Sequence, residues 1–449
     1  MTERSQWGSR LGFILASAGS AVGLGAIWKF PYMAGTNGGS IFMLPYIFFT
    51  VTIGLVLLMG EMCMGRSARA GAAGAFRRWG GSTFAWIGKL SVLTGYLVLA
   101  FYSVVGGWCV YYMGQALIGN GIINDPALMR SEFDSFASGA FAPVISHLIF
   151  LASTGLVVLF GVEKGIERLS KVLMPLLFVM MLVLIGRGLT LPGAWEGVRF
   201  LFEPDWNQFT AQSLLNAMGF AFFSLSVGSA SQMNYGSYLS KKVNLPGSVT
   251  WIVFLAIIAS LLGGLMIMPA VFAFGLSPDA GPGLTFATMP AVFAQLPFGH
   301  FFAITFYVCL YVAALTSAIS IFEMSVQYLN DEWKMPRPVA VLLIFLTLAM
   351  LGILCALSFG PLANVKIAGM SFFNFFDYLT SNIGMPIGAL GIGIVVAWLA
   401  RPMAEAQLQL VHPYPKNFLR LFHLIAGVLA PVLIIVVMLH GIGIIDFGN

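Results

Sequence analysis

Four ionisable side chains, Lys29, Glu61, Glu323 and Asp377, stand inside long apolar runs of a 449-residue chain. A charge there is costly unless it is paired, hydrogen-bonded or wet. Each therefore marks an ion or substrate pathway, or a hydrogen bond to exposed backbone or hydroxyl groups of a neighbouring helix. Glu323, near the end of its run, fits the second role. Two further stretches interrupt the apolar pattern. "GSAVGLG" places Gly19, Gly23 and Gly25 near the middle of the first run, and "FFSLSVGSASQ" places Ser226, Gly228, Ser229, Ala230 and Ser231 midway through the sixth. Glycine weakens a helix by about 1 kcal/mol per residue, and a helix broken at membrane depth is tolerated only where it lines a cavity or is buried in protein. Either stretch alone is equally compatible with close packing through small residues. Two of them, five runs apart, point to half-helix ends meeting at the bilayer midplane, with N–H ends facing an anionic group and freed carbonyls facing a cation.

Catalytic chemistry has no comparable support. His147, His300, His412, His423 and His440 are scattered and form no HExxH-like arrangement, and no nucleophile and base are paired. Cys63, Cys109, Cys309 and Cys355 all fall in apolar runs without a CxxC pair, so neither a disulfide framework nor a zinc site is expected.

The elements that position these residues follow from composition. Hydrophobic residues make up 59% of the chain and charged residues 9%, with a mean hydropathy of +0.91, outside the range of a soluble domain. Runs of the roughly 20 residues that cross a bilayer predict spans at 11–35, 40–64, 88–119, 142–161, 169–190, 208–239, 248–275, 300–330, 337–358, 372–399 and 421–441. These leave no room for a separate soluble domain, and the first is too long for a cleavable signal. Most of the basic residues, Arg66, Arg77, Arg78, Lys89, Lys164, Lys241 and Lys242 among them, fall in loops on the side of the N-terminus. The positive-inside rule then puts the N-terminus in the cytoplasm and the short C-terminal tail outside. The net charge of +5 reflects this topology, and no nucleic-acid partner is implied.

"WGSRLGFILASAGSAVGLGAIWKFPY", "NGGSIFMLPY", "GEMCMGR", "KGIERLSKVLMP", "ALTSAIS" and "FFDYLTSN" resemble, in order, stretches of the neurotransmitter:sodium symporter family, specifically bacterial members with eleven rather than twelve spans. The resemblance covers nearly the whole chain. It implies an all-α polytopic membrane protein with a LeuT-like 5+5 inverted-repeat fold and discontinuous helices 1 and 6. It also implies one integral domain over 1–449, with repeats at about 11–190 and 208–399 and an extra helix at about 421–441. The implied activity is sodium-coupled uptake by alternating access, with spans 1, 2, 6 and 7 rocking against the rest. The implied location is a bacterial inner (plasma) membrane, with lipid and a small-molecule substrate as partners; the oligomeric state is not implied.

Carried over by motif, one sodium site would comprise the carbonyls of Gly19, Val22 and Ala313 with the hydroxyls of Thr316 and Ser317, a set of hard oxygens suited to the ion. The other reading of the two hydroxyls is a bond back to their own helix. The family's other sodium site is degraded: its asparagine after "GLG" is Ala26 here, and gapless alignment puts Leu255 at its second amide position. The Ala21 carbonyl and the Ser224 hydroxyl remain, with a substrate carboxylate as a third oxygen. One sodium is therefore expected. Chloride is not expected, because the family's anion site pairs a tyrosine, here Tyr46, with positions occupied by Phe220 and Ala259; Ser260 is one residue away.

For the substrate, the resemblance implies that Gly23, Leu24 and Gly25 offer N–H groups to a carboxylate and that the Tyr102 hydroxyl reaches it. Amine-selective relatives have aspartate where Gly23 stands, so an amino acid is expected. Val98, Phe223, Ser226, Ser229, Ser317 and Ile321 would line its side-chain pocket, with Ser229 where a leucine-transporting member has phenylalanine. Lys29 and Asp377 match an outer charged pair, Tyr102 and Phe223 an aromatic lid, and Arg4, Trp7, Ser237, Tyr238 and Asp331 an inner network. An osmolyte, amine or sulfonate substrate, a proton-coupled transporter, a sodium-independent exchanger and a transport-inactive sensor stand as alternatives.

Overall fold

In runs this apolar, backbone hydrogen bonds must close within each segment, and helices do so. The structure, a computed structural model, describes residues 5–120, 125–278, 285–286 and 289–445. Among them ten helices are long and apolar enough to cross a membrane. They are α1 (Arg10–Thr36), α2 (Ser40–Ala68), α3 (Ser82–Leu117), α4 (Ala142–Leu159), α5 (Val162–Leu189), α7 (Leu245–Ala273), α8 (Gly299–Trp333), α9 (Arg337–Leu357), α10 (Phe372–Leu399) and α11 (Lys416–Gly441). The sixth predicted span is two pieces, α6a (Ala211–Ser224) and α6b (Ser231–Ser237). Polar caps start several of these helices: Ser9, Thr210, Asn244 and Ser371 each accept an N–H from the first turn.

The two interruptions differ in kind. In α1 the helical path is lost at one residue, Gly23 (φ −25°, ψ −159°), and resumes through a wide π turn over Gly25–Lys29. Gly23 is also sterically required, because a Cβ there would lie 2.5 Å from the Ser317 Cβ and 2.7 Å from the Tyr102 hydroxyl oxygen. Between α6a and α6b the helix is lost altogether. Ser226, Gly228 and Ala230 all adopt positive φ (55°, 83° and 66°), a conformation that costs on the order of 1 kcal/mol or more for a residue with a Cβ.

Glu61 of α2 holds that strained segment. Fully buried, it accepts from the N–H of Gly228 (3.2 Å) and from that of Met233 (3.0 Å), so one side chain satisfies a donor inside the gap and another in the first turn of α6b. This is the backbone-bonding role among those its sequence position allows. A buried N–H left without its acceptor costs about 1–3 kcal/mol. Glu61→Ala is therefore expected to lower the melting temperature in detergent markedly, and Glu61→Gln, which keeps one carbonyl acceptor, to lower it less. Equal melting temperatures for wild type and Glu61→Ala would refute the capping role.

Candidate functional site

Both interruptions open onto one narrow cavity of ≈ 30 Å³. Of the twelve residues expected around the substrate, all but Leu24 line it, and Ser20 of α1 and Met385 of α10 join them. Leu24 contributes through its backbone: its N–H donates to the Tyr102 hydroxyl oxygen at 3.0 Å, which fixes that side chain beside the break. The polar wall is partly bonded within itself. Ser229 donates to the Ser226 carbonyl (2.7 Å) and lies 3.0 Å from the Ser231 hydroxyl, while Ser317 donates to the Ser20 carbonyl (3.0 Å).

The hydroxyls of Thr316 and Ser317 face the α1 break. A Cβ on Gly19 would lie 3.1 Å from both the Thr316 Cβ and the Met174 Sδ, so α1, α5 and α8 converge there. Thr316 donates to the Ala313 carbonyl at 3.0 Å, the bond back to its own helix. That bond does not preclude cation binding, since a donating hydroxyl and an accepting carbonyl each keep lone pairs. Buried hydroxyl and carbonyl oxygens with no competing cation suit sodium. No group of His, Cys, Asp or Glu able to hold a metal is present among the described residues.

Above Phe223 lies a larger cavity of ≈ 360 Å³, bounded by the ends of α1, α6a, α10 and α11 away from the N-terminus. The Lys29 ammonium does not pair with Asp377 here. It sits 4.0 Å from the centre of the Phe223 ring, a cation–π contact, while Asp377 accepts from the Ser381 hydroxyl at 3.0 Å. The lid also differs from the aromatic pair expected. Phe223 and Met385 line both cavities, whereas Tyr102 lines only the narrow one.

Comparison with known proteins places this geometry in a family. The profile of the sodium:neurotransmitter symporter family matches residues 4–121 and 142–446. The chain belongs to that family. A sodium-dependent transporter of Bacillus subtilis, YhdH, is 42% identical over 98% of both chains. The rat sodium- and chloride-dependent taurine transporter is 27% identical over 89% of this chain and 70% of its own. The crystal structure of MhsT in complex with L-phenylalanine superposes with a TM-score of 0.91 at 37% identity, covering 98% of this chain and all of that one. This symporter is thus a sodium-dependent membrane transporter with the LeuT-type fold, and not an enzyme.

The structure corrects the register of α7 in the symporter by one residue. Ser260, not Ala259, meets the Tyr46 hydroxyl, at 2.9 Å, and the Phe220 ring packs on Tyr46 with centroids 5.0 Å apart. The offset is a single residue on a helix whose stretch 252–259 carries no polar side chain to fix the register. The same shift moves the second amide position from Leu255, which is only partly buried, to buried Ala256, one turn before Ser260. Neither residue carries a side-chain oxygen. With Ala26 opposite, the helices have closed in: a Cβ on Gly263 would come 2.4 Å from the Ala26 carbonyl oxygen.

At the face of the N-terminus, Trp7 donates from its indole N–H to the Tyr235 carbonyl (3.0 Å) and from its backbone N–H to the Tyr238 carbonyl (3.3 Å). The Tyr238 hydroxyl lies 2.8 Å from carboxylate Oε1 of Glu323 and from Oε1 of Gln327, whose amide donates to Asp331 (2.7 Å). Asp331 also accepts the Gly71 N–H at 2.7 Å, and Ser237 donates to the Asn234 carbonyl. Arg4 lies outside the described residues. Sequence reasoning missed three members of this cluster. Arg337, which reads as an ordinary basic flank, forms an ion pair with buried Glu323 and bonds the Val158 carbonyl. Gln327 carries no polarity signal beyond its helix. Glu167 of α5 accepts from Gly8 (2.6 Å) and Ser9 (2.8 Å) and pairs with Lys171 (2.7 Å). Removing one partner of a buried pair strands a charge and costs about 3–5 kcal/mol. Arg337→Ala is expected to destabilise the fold strongly, and Glu323→Gln combined with Arg337→Met to recover most of the loss. Thermal melts of the three proteins check this, and a double variant no better than Arg337→Ala would refute the pairing.

Proposed function

We propose that this symporter takes up an amino acid by alternating access with one sodium ion and without chloride, the last resting on the Phe220 ring that packs on Tyr46, since Ser260 at Tyr46 does not itself argue against an anion. The observation that carries this reading is the narrow cavity where both helix breaks meet, lined by Gly23 and Gly25, by Tyr102 and by the small hydroxylated side chains of Ser226, Ser229 and Ser317. Within it the Leu24 N–H donates to the Tyr102 hydroxyl oxygen and the Gly25 N–H to the Gly23 carbonyl, bonds that a carboxylate would have to share or replace. N–H groups at a helix break favour a carboxylate. The crowding around Gly23 leaves no space for an aspartate that would serve an amine lacking a carboxylate of its own. MhsT, bound to L-phenylalanine, gives the reading a precedent.

One sodium follows from the donors. The carbonyls of Gly19, Val22 and Ala313 and the hydroxyls of Thr316 and Ser317 supply a full set of oxygens. The second position retains the Ala21 carbonyl and the Ser224 hydroxyl between Ala26 and Ala256, too few for the ion. One charge moving through about 100 mV gains about 2.3 kcal/mol, and about 1.4 kcal/mol is tenfold in concentration. Voltage alone then supports roughly fiftyfold accumulation of a zwitterion. In this reading the chain is one domain with repeats at about 11–190 and 208–399. It sits in a bacterial inner membrane with the N-terminus cytoplasmic, the larger cavity open to the outside and the Trp7 cluster closing the inner face.

A sulfonate substrate is the second reading, favoured by the taurine-transporter relative and by the missing amides beside the carboxylate position. Thermal shift of the purified protein against amino acids, osmolytes and amines, run in sodium and in potassium, names the class. An amino acid that stabilises only in sodium supports the proposal, and stabilisation independent of sodium indicates an exchanger or a sensor. In proteoliposomes, uptake is expected to rise with sodium with a Hill coefficient near one. Thr316→Ala with Ser317→Ala is expected to abolish sodium-driven accumulation, and uptake that persists in that variant would overturn the mechanism.

A further inference from the structure

The wall between the two cavities contains a side chain from a helix that the sequence reading did not place at the substrate. Met385 of α10 is 5% exposed and, with Phe223, is shared by the narrow cavity and the large one. Its backbone is held tightly. A Cβ on Gly228 would come 2.3 Å from the Met385 carbonyl oxygen, and one on Gly388 would come 2.3 Å from the Gly228 carbonyl oxygen. The first full turn of α10 below its π segment (Leu379–Gly384) is thus packed directly on the α6 break. Asp377 lies eight residues earlier, about 12 Å up the same helix, so one rigid element carries both the outer carboxylate and the floor of the large cavity.

Backbone this close to the break leaves only the side chain free to adapt. Methionine is unbranched and polarizable and fills irregular space. The narrow cavity is also walled by Ser226 and Ser229, which are small and belong to the strained loop. We infer that Met385 is a specificity-determining residue: it forms, with Phe223, the lid over the substrate's side chain and sets how large a side chain the site admits. This rests on the amino-acid reading above only for the identity of the ligand. Shortening Met385 joins the narrow cavity to the larger one, and a rigid ring in its place closes the narrow cavity further.

Two measurements test it. In binding titrations in sodium with alanine, norvaline, norleucine, phenylalanine and tryptophan, Met385→Ala is expected to shift the ratio of Kd values toward the larger side chains by tenfold or more. Met385→Phe should shift it the other way, and Met385→Leu should stay within about threefold of wild type. Ratios unchanged in a Met385→Ala protein that elutes as a monodisperse species refute the lid. The second measurement needs no substrate. A Ser229→Cys thiol, in a protein whose four native cysteines are buried, is expected to react with a methanethiosulfonate reagent at least tenfold faster when Met385 is also alanine. An unchanged labelling rate overturns the proposal even if amino acids bind. Faster labelling without binding of any amino acid leaves the lid standing and overturns the amino-acid reading instead.

Discussion

A backbone amide released from its helix in the middle of a membrane must find a partner, and the structure is organised around meeting that demand. At Gly23 the break is minimal, and the freed groups turn toward Tyr102 and the cavity. Between α6a and α6b it is extensive, with three residues in left-handed backbone. Such a segment persists only where its surroundings over-determine it. Glu61 supplies hydrogen bonds to Gly228 within the gap and to Met233 at the start of α6b, and glycine-to-backbone contacts with α10 supply the steric confinement. The donors and acceptors left over are those the transported species can use.

The same demand separates the two positions proposed for ions. Thr316 and Ser317 carry hydroxyls on a helix that lies directly against the α1 break, so oxygens are concentrated there. At the other position α7 packs closely on the α1 backbone through Gly263, near Ala26. Close packing of apolar atoms is then the only favourable use of the space, because a cation left with two or three oxygens could not be desolvated at reasonable cost. The Tyr46–Ser260 hydrogen bond beside it is self-sufficient, with the Phe220 ring covering the remaining side.

How much of this was legible in the sequence depended on whether a residue acts through type or through register. The spans and the two breaks follow from apolar run length and from glycine and serine clusters, which are local signals, whereas the eleven expected residues that line the cavity came from the family resemblance of the motifs. Ser260 was misplaced by one residue on a helix whose stretch 252–259 carries no polar side chain to fix the register. Met385 and Arg337 were missed for another reason: methionine in an apolar run and arginine at a helix start are both ordinary, and only tertiary packing gives them a role. Lys29 and Asp377 were correctly picked out as costly charges, but the partner Lys29 finds is the Phe223 ring, and a ring leaves no charge pattern to read.

The two faces are closed by different kinds of interaction, and this asymmetry bears on how the symporter cycles. At the N-terminal face, Trp7, Tyr238, Glu323, Gln327 and Arg337 form a buried network in which ionic and hydrogen-bonded contacts reinforce one another. Such networks are cooperative and give way as a unit. At the opposite face the barrier above the narrow cavity is Phe223, with the Lys29 ammonium on its ring, and Met385. The barrier at that face is thus made of single side-chain contacts, whereas the network at the N-terminal face is cooperative and loses its bonds together.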